Sequence, residues 1–404
     1  MTLEEALALD AADPLAPCRD RFALPEGVIY LDGNSLGALP RATATSVATT
    51  IEREWGGDLL ASWNKHDWIG APPRIGDRIA PLVGAKAGEV LVGDSTSVNL
   101  FKLLAAALEA RPGRAVILSE TGNFPTDLYI AQGLGRLAGA SLRTVEAEAI
   151  EAAIDEATAV VMLTHVDYRS GRRHDMKRVT AAAHAAGALM LWDLSHSAGA
   201  IAVDLNAAGA DLAVGCGYKY LNGGPGAPAF LFVADALQAQ LRSPLSGWLG
   251  HADPFAFEPA YRPAEGIARF QAGTPSILAM AALEAGLATF DGVSIADLEA
   301  KSRRLSDLFI ALVEERCTEL TLASPRGERG SHLVFAFSHA YALMQALIER
   351  GVIGDFREPN LVRFGFAPLY NGFADVWRAV DSLADILGSR SWDAPRFHQR
   401  QRVT

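Results

Sequence analysis

Leu191-Trp-Asp-Leu-Ser-His-Ser-Ala-Gly-Ala200 and, a little further on, Gly217-Tyr-Lys-Tyr-Leu-Asn-Gly-Gly-Pro-Gly226 form the stretch on which the fold turns. The first piece reads as a buried strand that ends at Asp193 and turns through His196. The second follows another apolar run and carries Lys219 just past its end. An acid at one strand mouth and a lysine at the next, in a glycine-rich setting, suits pyridoxal phosphate: the lysine can hold the cofactor as an imine and the acid can keep its pyridine nitrogen protonated.

The same rhythm extends outward. Apolar runs at Val90–Gly93, Ala115–Ser119, Ser141–Val145, Ala159–Thr164, Ala188–Leu194, Leu212–Cys216 and Ala229–Val233 alternate with helical spacing at Ser97–Glu109, Thr126–Leu137, Ala147–Ala157 and Met176–Ala186. The pattern predicts an α/β fold: a large domain with a mainly parallel sheet of roughly seven strands flanked by helices, its ligand at the strand C-termini. Upstream lies an arm in which Pro40 opens a helix to about Trp55. Beyond Leu241 the rhythm stops. Two long amphipathic helices, Ser276–Phe290 and Ile295–Arg316, precede Ser331–Ser338, Ala340–Gly351, Val352–Arg357, Leu361–Ala367 and Ala374–Leu387, a smaller α+β C-terminal domain. The expected division is an N-terminal arm and helix over 1–60, the large cofactor-binding domain over 61–275 and the small domain over 276–404, with a loose polar tail from Ser391.

The chain has 404 residues, half of them hydrophobic, and a formal net charge of -11. That charge argues against nucleic acid or an anionic membrane as partner. Cys18, Cys216 and Cys317 lie far apart, with no disulfide framework or metal site legible. An acidic, helix-prone start and the lack of a long apolar run predict a soluble cytoplasmic protein.

Several residues stand out for chemistry. A desolvated Lys219 is a usable amine nucleophile and proton shuttle, although a surface lysine at a strand exit reads the same. Asp193 needs a partner at its strand mouth, which a pyridinium, a helix cap or a salt bridge would each supply. Asp94-Ser-Thr-Ser-Val-Asn99 opens a helix with hydroxyls and amides, suited to a phosphate or to plain capping. Phe124 could lie flat on a ring and Asp127, three residues on, could bond its edge or cap its own helix. Arg363 in Leu361-Val-Arg-Phe-Gly-Phe366 offers a planar fork to a carboxylate, or forms a structural ion pair. The aromatic loop Trp63–Trp68 is a candidate pocket border.

Asp193-x-x-His-Ser-x-Gly199, Val203-Asp204 and the Lys219 segment with Gly-Gly-Pro-Gly resemble the class-V aminotransferase group of fold-type-I pyridoxal phosphate enzymes. Within that group the chain is most similar to the kynureninase family. Tyr30-Leu-Asp-Gly-Asn-Ser-Leu-Gly37, Phe124-Pro-Thr-Asp127, Gly217–Gly226, Gly247-Trp-Leu-Gly-His251 and Arg363 with Ala367-Pro-Leu-Tyr-Asn371 carry the likeness. These segments span most of the chain in the family's order, and it is their combination that is specific.

The resemblance implies that Thr96, Ser97 and the Tyr218 hydroxyl bind the cofactor phosphate region and that Phe124 stacks on the ring. Asp127 and Thr164 would contact its polar edge, Asp193 would pair with the pyridinium, and His196 would lie beside it. Lys219 would carry the cofactor covalently and move the Cα proton. Trp248 and Thr274 would reach in from the second subunit of a homodimer, and Arg363 would hold the substrate carboxylate. The implied reaction is hydrolytic Cβ–Cγ cleavage of L-kynurenine to anthranilate and L-alanine in tryptophan catabolism, on the kynurenine route to NAD, with Tyr218 as proton donor or acceptor. 3-Hydroxykynurenine is the second candidate substrate. Animal members tend to have asparagine where Thr274 precedes Pro275, so threonine points to kynurenine itself. The rivals are a cysteine desulfurase or selenocysteine lyase, which would need a mobile-loop cysteine after the lysine, a plain aminotransferase, and a catalytically silent binding relative.

Overall fold

The protein is described by a computed structural model over residues 1–400. Its strands, in chain order, are β1 (Ile29–Tyr30), β2 (Val90–Val92), β3 (Val116–Glu120), β4 (Ser141–Val145), β5 (Thr158–Thr164), β6 (Leu189–Asp193), β7 (Leu212–Gly215), β8 (Phe230–Val233), β9 (Thr321–Leu322), β10 (His332–Ala336), β11 (Val352–Ile353), β12 (Asp355–Arg357) and β13 (Leu361–Gly365).

Seven of these form the large sheet, in the order β2-β8-β7-β6-β5-β3-β4. Its strands are parallel except β8, which runs antiparallel to both β2 and β7. Both faces are covered, so the strands alternate between two cores rather than between core and solvent. On β5 and β6, Val160, Met162, Leu189 and Leu191 pack with the helices Thr96–Glu109 and Pro125–Ala138. Val161, Leu163, Met190 and Trp192 point the other way, toward Met176–Ala185, Ala71–Ile79 and Ile277–Leu287. Strand order reverses between β3 and β5, since the chain runs outward from β3 to β4 and then returns to the far side of β3. A crevice at the strand C-termini is expected there.

The small sheet, β12-β13-β10-β9, is antiparallel and packs its own core with the helices Ile295–Arg316, Ala340–Glu349 and Phe373–Ser389. The chain's start joins it: β1 pairs with β11, and the first helix, Leu3–Ala11, offers the Asp10 carboxylate to the backbone N–H groups of Phe373 and Ala374 at 2.6 and 3.0 Å. That carboxylate satisfies two donors at the start of the last helix.

Three local expectations need correction. The helix expected over Ala147–Ala157 shrinks to Ile150–Ala153, because Asp155 turns the chain back, binding Arg143 and its own loop at Thr158. The helix from Pro40 is α-helical only over Arg41–Thr49 and continues as a π-helix, Thr50–Asp58. The tail is not loose up to residue 400: Trp392 and Phe397 are buried against Ala340–Glu349; its last four residues lie outside the described part. Among the described residues no single helix is long and apolar enough to cross a membrane.

Candidate active site

Register brings the site together. Thr164, the last residue of β5, lies opposite Asp193, the last of β6, and Asp193 lies opposite Val214 of β7. Beyond β6 the chain turns through His196, and beyond β7 it loops through Lys219. The two side chains meet, Lys219 Nζ lying 3.0 Å from His196 Nε2. The lysine loop is closed by Asn222 N–H on the Lys219 carbonyl and by Gly37 N–H on the Tyr218 carbonyl. Glycine is required at 37, since a Cβ there would stand 2.4 Å from the Lys219 carbonyl oxygen. The Tyr30–Gly37 motif thus acts as the floor of the lysine loop.

His196 is fully buried, and burial foremost, then the nearby Lys219 charge, holds its pKa well below the usual range. It is held neutral with Nε2 facing the lysine amine, while Nδ1 is buried with no partner among the described residues. Asp127 and Asp193 face one another. Burial, then the charge of Asp193 and a hydrogen bond to it, pushes the Asp127 carboxyl well up, while Lys219 opposes the shift. Asp127 is thus held toward its neutral form beside Asp193, and its Oδ2 is buried without a partner among the described residues. Asp193 Oδ1 also accepts the Ser195 N–H at 2.7 Å.

The Phe124 ring centroid is 6.0 Å from Lys219 Nζ, and that of Tyr218 is 5.8 Å away. Phe124 is fixed edge-on by Tyr168 at 5.2 Å. Thr164 is held by a residue that sequence reasoning missed: buried Asn123 accepts from the Thr164 hydroxyl, from its N–H at 3.3 Å and from the Phe124 N–H at 2.9 Å, and donates to Ser119 Oγ at 3.0 Å. The only signal for it was a polar residue at a strand-to-helix junction.

At the Asp94–Asn99 turn the capping reading holds for one residue. Ser95 caps the helix Thr96–Glu109 by accepting from Val98 N–H, so the cap does not use the Thr96 and Ser97 hydroxyls. Buried Lys102 grips Asp94 and donates to the Phe270 carbonyl at 2.9 Å. Tyr218, mostly buried, has its hydroxyl pKa pushed up by desolvation.

Arg363 is 1% exposed. Its Nε donates to Asp355 Oδ1 at 2.9 Å and its Nη2 to Asp355 Oδ2, with further bonds to Ser35 Oγ at 3.0 Å and the Tyr168 carbonyl at 2.6 Å. With its amide turned, Asn34 accepts from the same guanidinium. The structural ion pair is real and accounts for most of the fork. His332, on β10, brings this face to the lysine, its ring 5.3 Å from that of His196.

Trp248 and Thr274 stand apart. Both are exposed, their segments are joined by Leu249 N–H on the Ala272 carbonyl, and no hydrogen bond, ion pair or ring contact ties either to the Lys219 cluster among the described residues. The Trp63–Trp68 loop is bonded back onto the π-helix through Trp68 Nε1 and Glu54 at 2.8 Å. All three cysteines are buried and free.

Residues 77–214 match the DegT/DnrJ/EryC1/StrS aminotransferase family and residues 298–383 the kynureninase C-terminal domain. In solved structures the chain is similar to a cysteine desulfurase from Thermococcus onnurineus NA1, with a TM-score of 0.79 at 20% identity over 92% of this chain and 98% of that one. It is also similar to a C-DES mutant with glycine covalently linked to its PLP cofactor, at 0.78 and 16% over 91% and 99%. These share the fold. Over their whole lengths, the kynureninases of Burkholderia pseudomallei (strain 1106a) and Pseudomonas fluorescens are 56% and 54% identical to this chain across 414 residues. An acid pair, a histidine-bound lysine and a buried arginine face, in a chain related end to end to those proteins, place it in the kynureninase family.

Proposed function

We propose that the chain binds pyridoxal phosphate at the Lys219 cluster and cleaves the Cβ–Cγ bond of L-kynurenine hydrolytically, releasing anthranilate and L-alanine. The observation that carries this is the placement of Lys219 between neutral His196 and the Asp127–Asp193 pair, in a chain more than half identical to kynureninases throughout. The residues fit the cofactor. The Asp127–Asp193 pair with its unpartnered Asp127 oxygen suits a pyridinium N–H, Phe124 suits its face, and the hydroxyls of Thr96 and Ser97 suit its phosphate. Bound there, it supplies an electron sink for charge developing on the amino acid.

The chain's own groups do the rest. Lys219 anchors the cofactor and then moves the Cα proton, while His196 Nε2 holds its amine in place. Tyr218 keeps its proton at neutral pH, so its hydroxyl can donate to the γ-carbonyl oxygen as water adds. Arg363 and its face take the α-carboxylate. Phe124 and Tyr168 offer an apolar wall to the aryl ring.

The exposed Trp248 and Thr274 complete the site of a partner copy in a homodimer, and Thr274 favours kynurenine over its 3-hydroxy form. We divide the chain into an arm (1–60), a large domain (61–275) and a small domain (276–404), whose first helix, Ile277–Leu287, lies on the large core, and place it in the cytoplasm, where reduced thiols persist. Purified protein loaded with cofactor and given L-kynurenine should release anthranilate, seen by its fluorescence, with no keto-acid consumed. Silence in that assay, or a requirement for a keto-acid, overturns the reading.

A further inference from the structure

The small-sheet face that looks toward Lys219 carries more positive charge than the fold itself neutralises. Asp355 on β12 is opposite Arg363 on β13, and Arg357, two residues along β12, shares that face. Asp355 is fully committed: Oδ1 accepts from Arg363 Nε, and Oδ2 accepts from Arg363 Nη2, from Arg357 Nη2 at 2.7 Å and from Ser35 Oγ at 2.9 Å. Two guanidiniums thus divide one carboxylate. The other acid facing them, Asp32, is pushed up to about 7 by burial and by the charge of Asp355, against the pull of Arg363, Ser35 and Arg357. One Asp32 oxygen is buried without a partner.

The two arginines differ in what they have left. Arg363 is enclosed, with Nε, Nη1 and Nη2 all donating. The Arg357 side chain is 37% exposed, and among the described residues only its Nη2 is paired and its buried Nε has no partner. It shares Asp355 with Arg363, which bonds the carbonyl of Tyr168, and the Tyr168 ring fixes Phe124, whose own ring lies 6.0 Å from Lys219 Nζ. A guanidinium with a spare edge at the mouth of a site short of one negative charge is a carboxylate receptor.

We propose that Arg357 is a second recognition group for the substrate's α-carboxylate, receiving it on its free edge beside Arg363, which Asp355 and the Tyr168 carbonyl hold in place. This rests on the functional reading above. The incoming anion brings the charge that Asp355 alone does not supply.

The test uses cofactor-loaded enzyme. Arg357→Gln should raise KM for L-kynurenine about 10- to 100-fold, with the loss carried mainly by KM. It should weaken L-alanine binding, followed by cofactor absorbance, by a similar factor. Arg357→Lys, which keeps the charge without the planar edge, should fall between the two. The decarboxylated analogue, which is the amine bearing the same aryl ketone, should inhibit wild type and Arg357→Gln equally. Unchanged KM and L-alanine affinity in Arg357→Gln, or an equal loss for the decarboxylated analogue, overturns the proposal. Wild-type enzyme that binds L-alanine yet releases no anthranilate from L-kynurenine would instead sink the functional reading, leaving the carboxylate comparison intact.

Discussion

Replacing Asp355 by asparagine tests how the arginine face is held. In the folded chain its carboxylate bonds Arg363 through both oxygens and also meets Arg357 and Ser35. The side chains of Arg363 and Asp355 are 1% and 6% exposed, so water cannot take over. Removing one charge of a buried pair costs about 3–5 kcal/mol, because the other stays behind unpaired. Asp32 moderates that cost. Once Asp355 is neutral, the repulsion that helped hold Asp32 protonated is gone and Arg363 draws it toward the ionised form. Near neutral pH Asp355→Asn should therefore lose about 3 kcal/mol, and the loss should grow as acid protonates Asp32. Urea unfolding at pH 8 and pH 5.5 measures this from the midpoint and slope. The double variant Asp355→Leu/Arg363→Met, which removes both charges, should regain most of the stability while losing substrate affinity. A single-variant loss under about 1 kcal/mol at both pH values refutes the claim that this carboxylate holds the face.

Other outcomes follow from the same geometry. Lys219→Ala should lose the near-visible absorbance of the lysine-bound cofactor together with anthranilate release; a retained band would remove Lys219 from that role. Arg363→Ala should raise KM for L-kynurenine by about 100-fold or more, and unchanged kinetics would end its assignment to the carboxylate. Asp32 holds its proton to about 7 when folded, against 3.8 as the ordinary value, so the folded chain binds more protons than the unfolded one between those limits. Its contribution makes stability fall as pH rises from about 4 to 7. Asp32→Asn should flatten that part of the profile of unfolding free energy against pH, and an identical slope in the variant would contradict the assignment.

Much of the large domain was legible because a strand buried on both faces leaves an uninterrupted apolar run, as at Leu189–Asp193 and Leu212–Gly215. Direction was not legible. Phe230–Val233 reads like its neighbours yet runs antiparallel to them, since an apolar run carries no sense of which way the chain enters. The acid and lysine at adjacent strand mouths could be read from spacing alone. The partners of Arg363 could not, because Asn34, Ser35, Tyr168 and Asp355 come from separate stretches of chain. A local pattern therefore cannot say whether its fork is free. Asn123 escaped notice for a related reason: its value lies in bonds to Thr164, far away in sequence.

The fold is shared with a cysteine desulfurase, so the sheet alone does not choose the reaction. The thiols do part of the choosing. Cys216 lies close to Lys219, but burial raises its pKa, and Cys317 is likewise pushed up, to about 12. A thiol kept protonated is a poor nucleophile, so neither suits the part of a sulfur-accepting cysteine. What the Lys219 cluster offers instead is proton management: Tyr218 with its O–H retained, His196 neutral, and the Asp127 carboxyl pushed well up by burial and by the charge of Asp193. Adding water to a ketone needs a group that gives a proton to the oxygen and can take it back. Tyr218, its ring 5.8 Å from Lys219 Nζ and its O–H retained, fits that demand, a fit that the sheet alone does not supply.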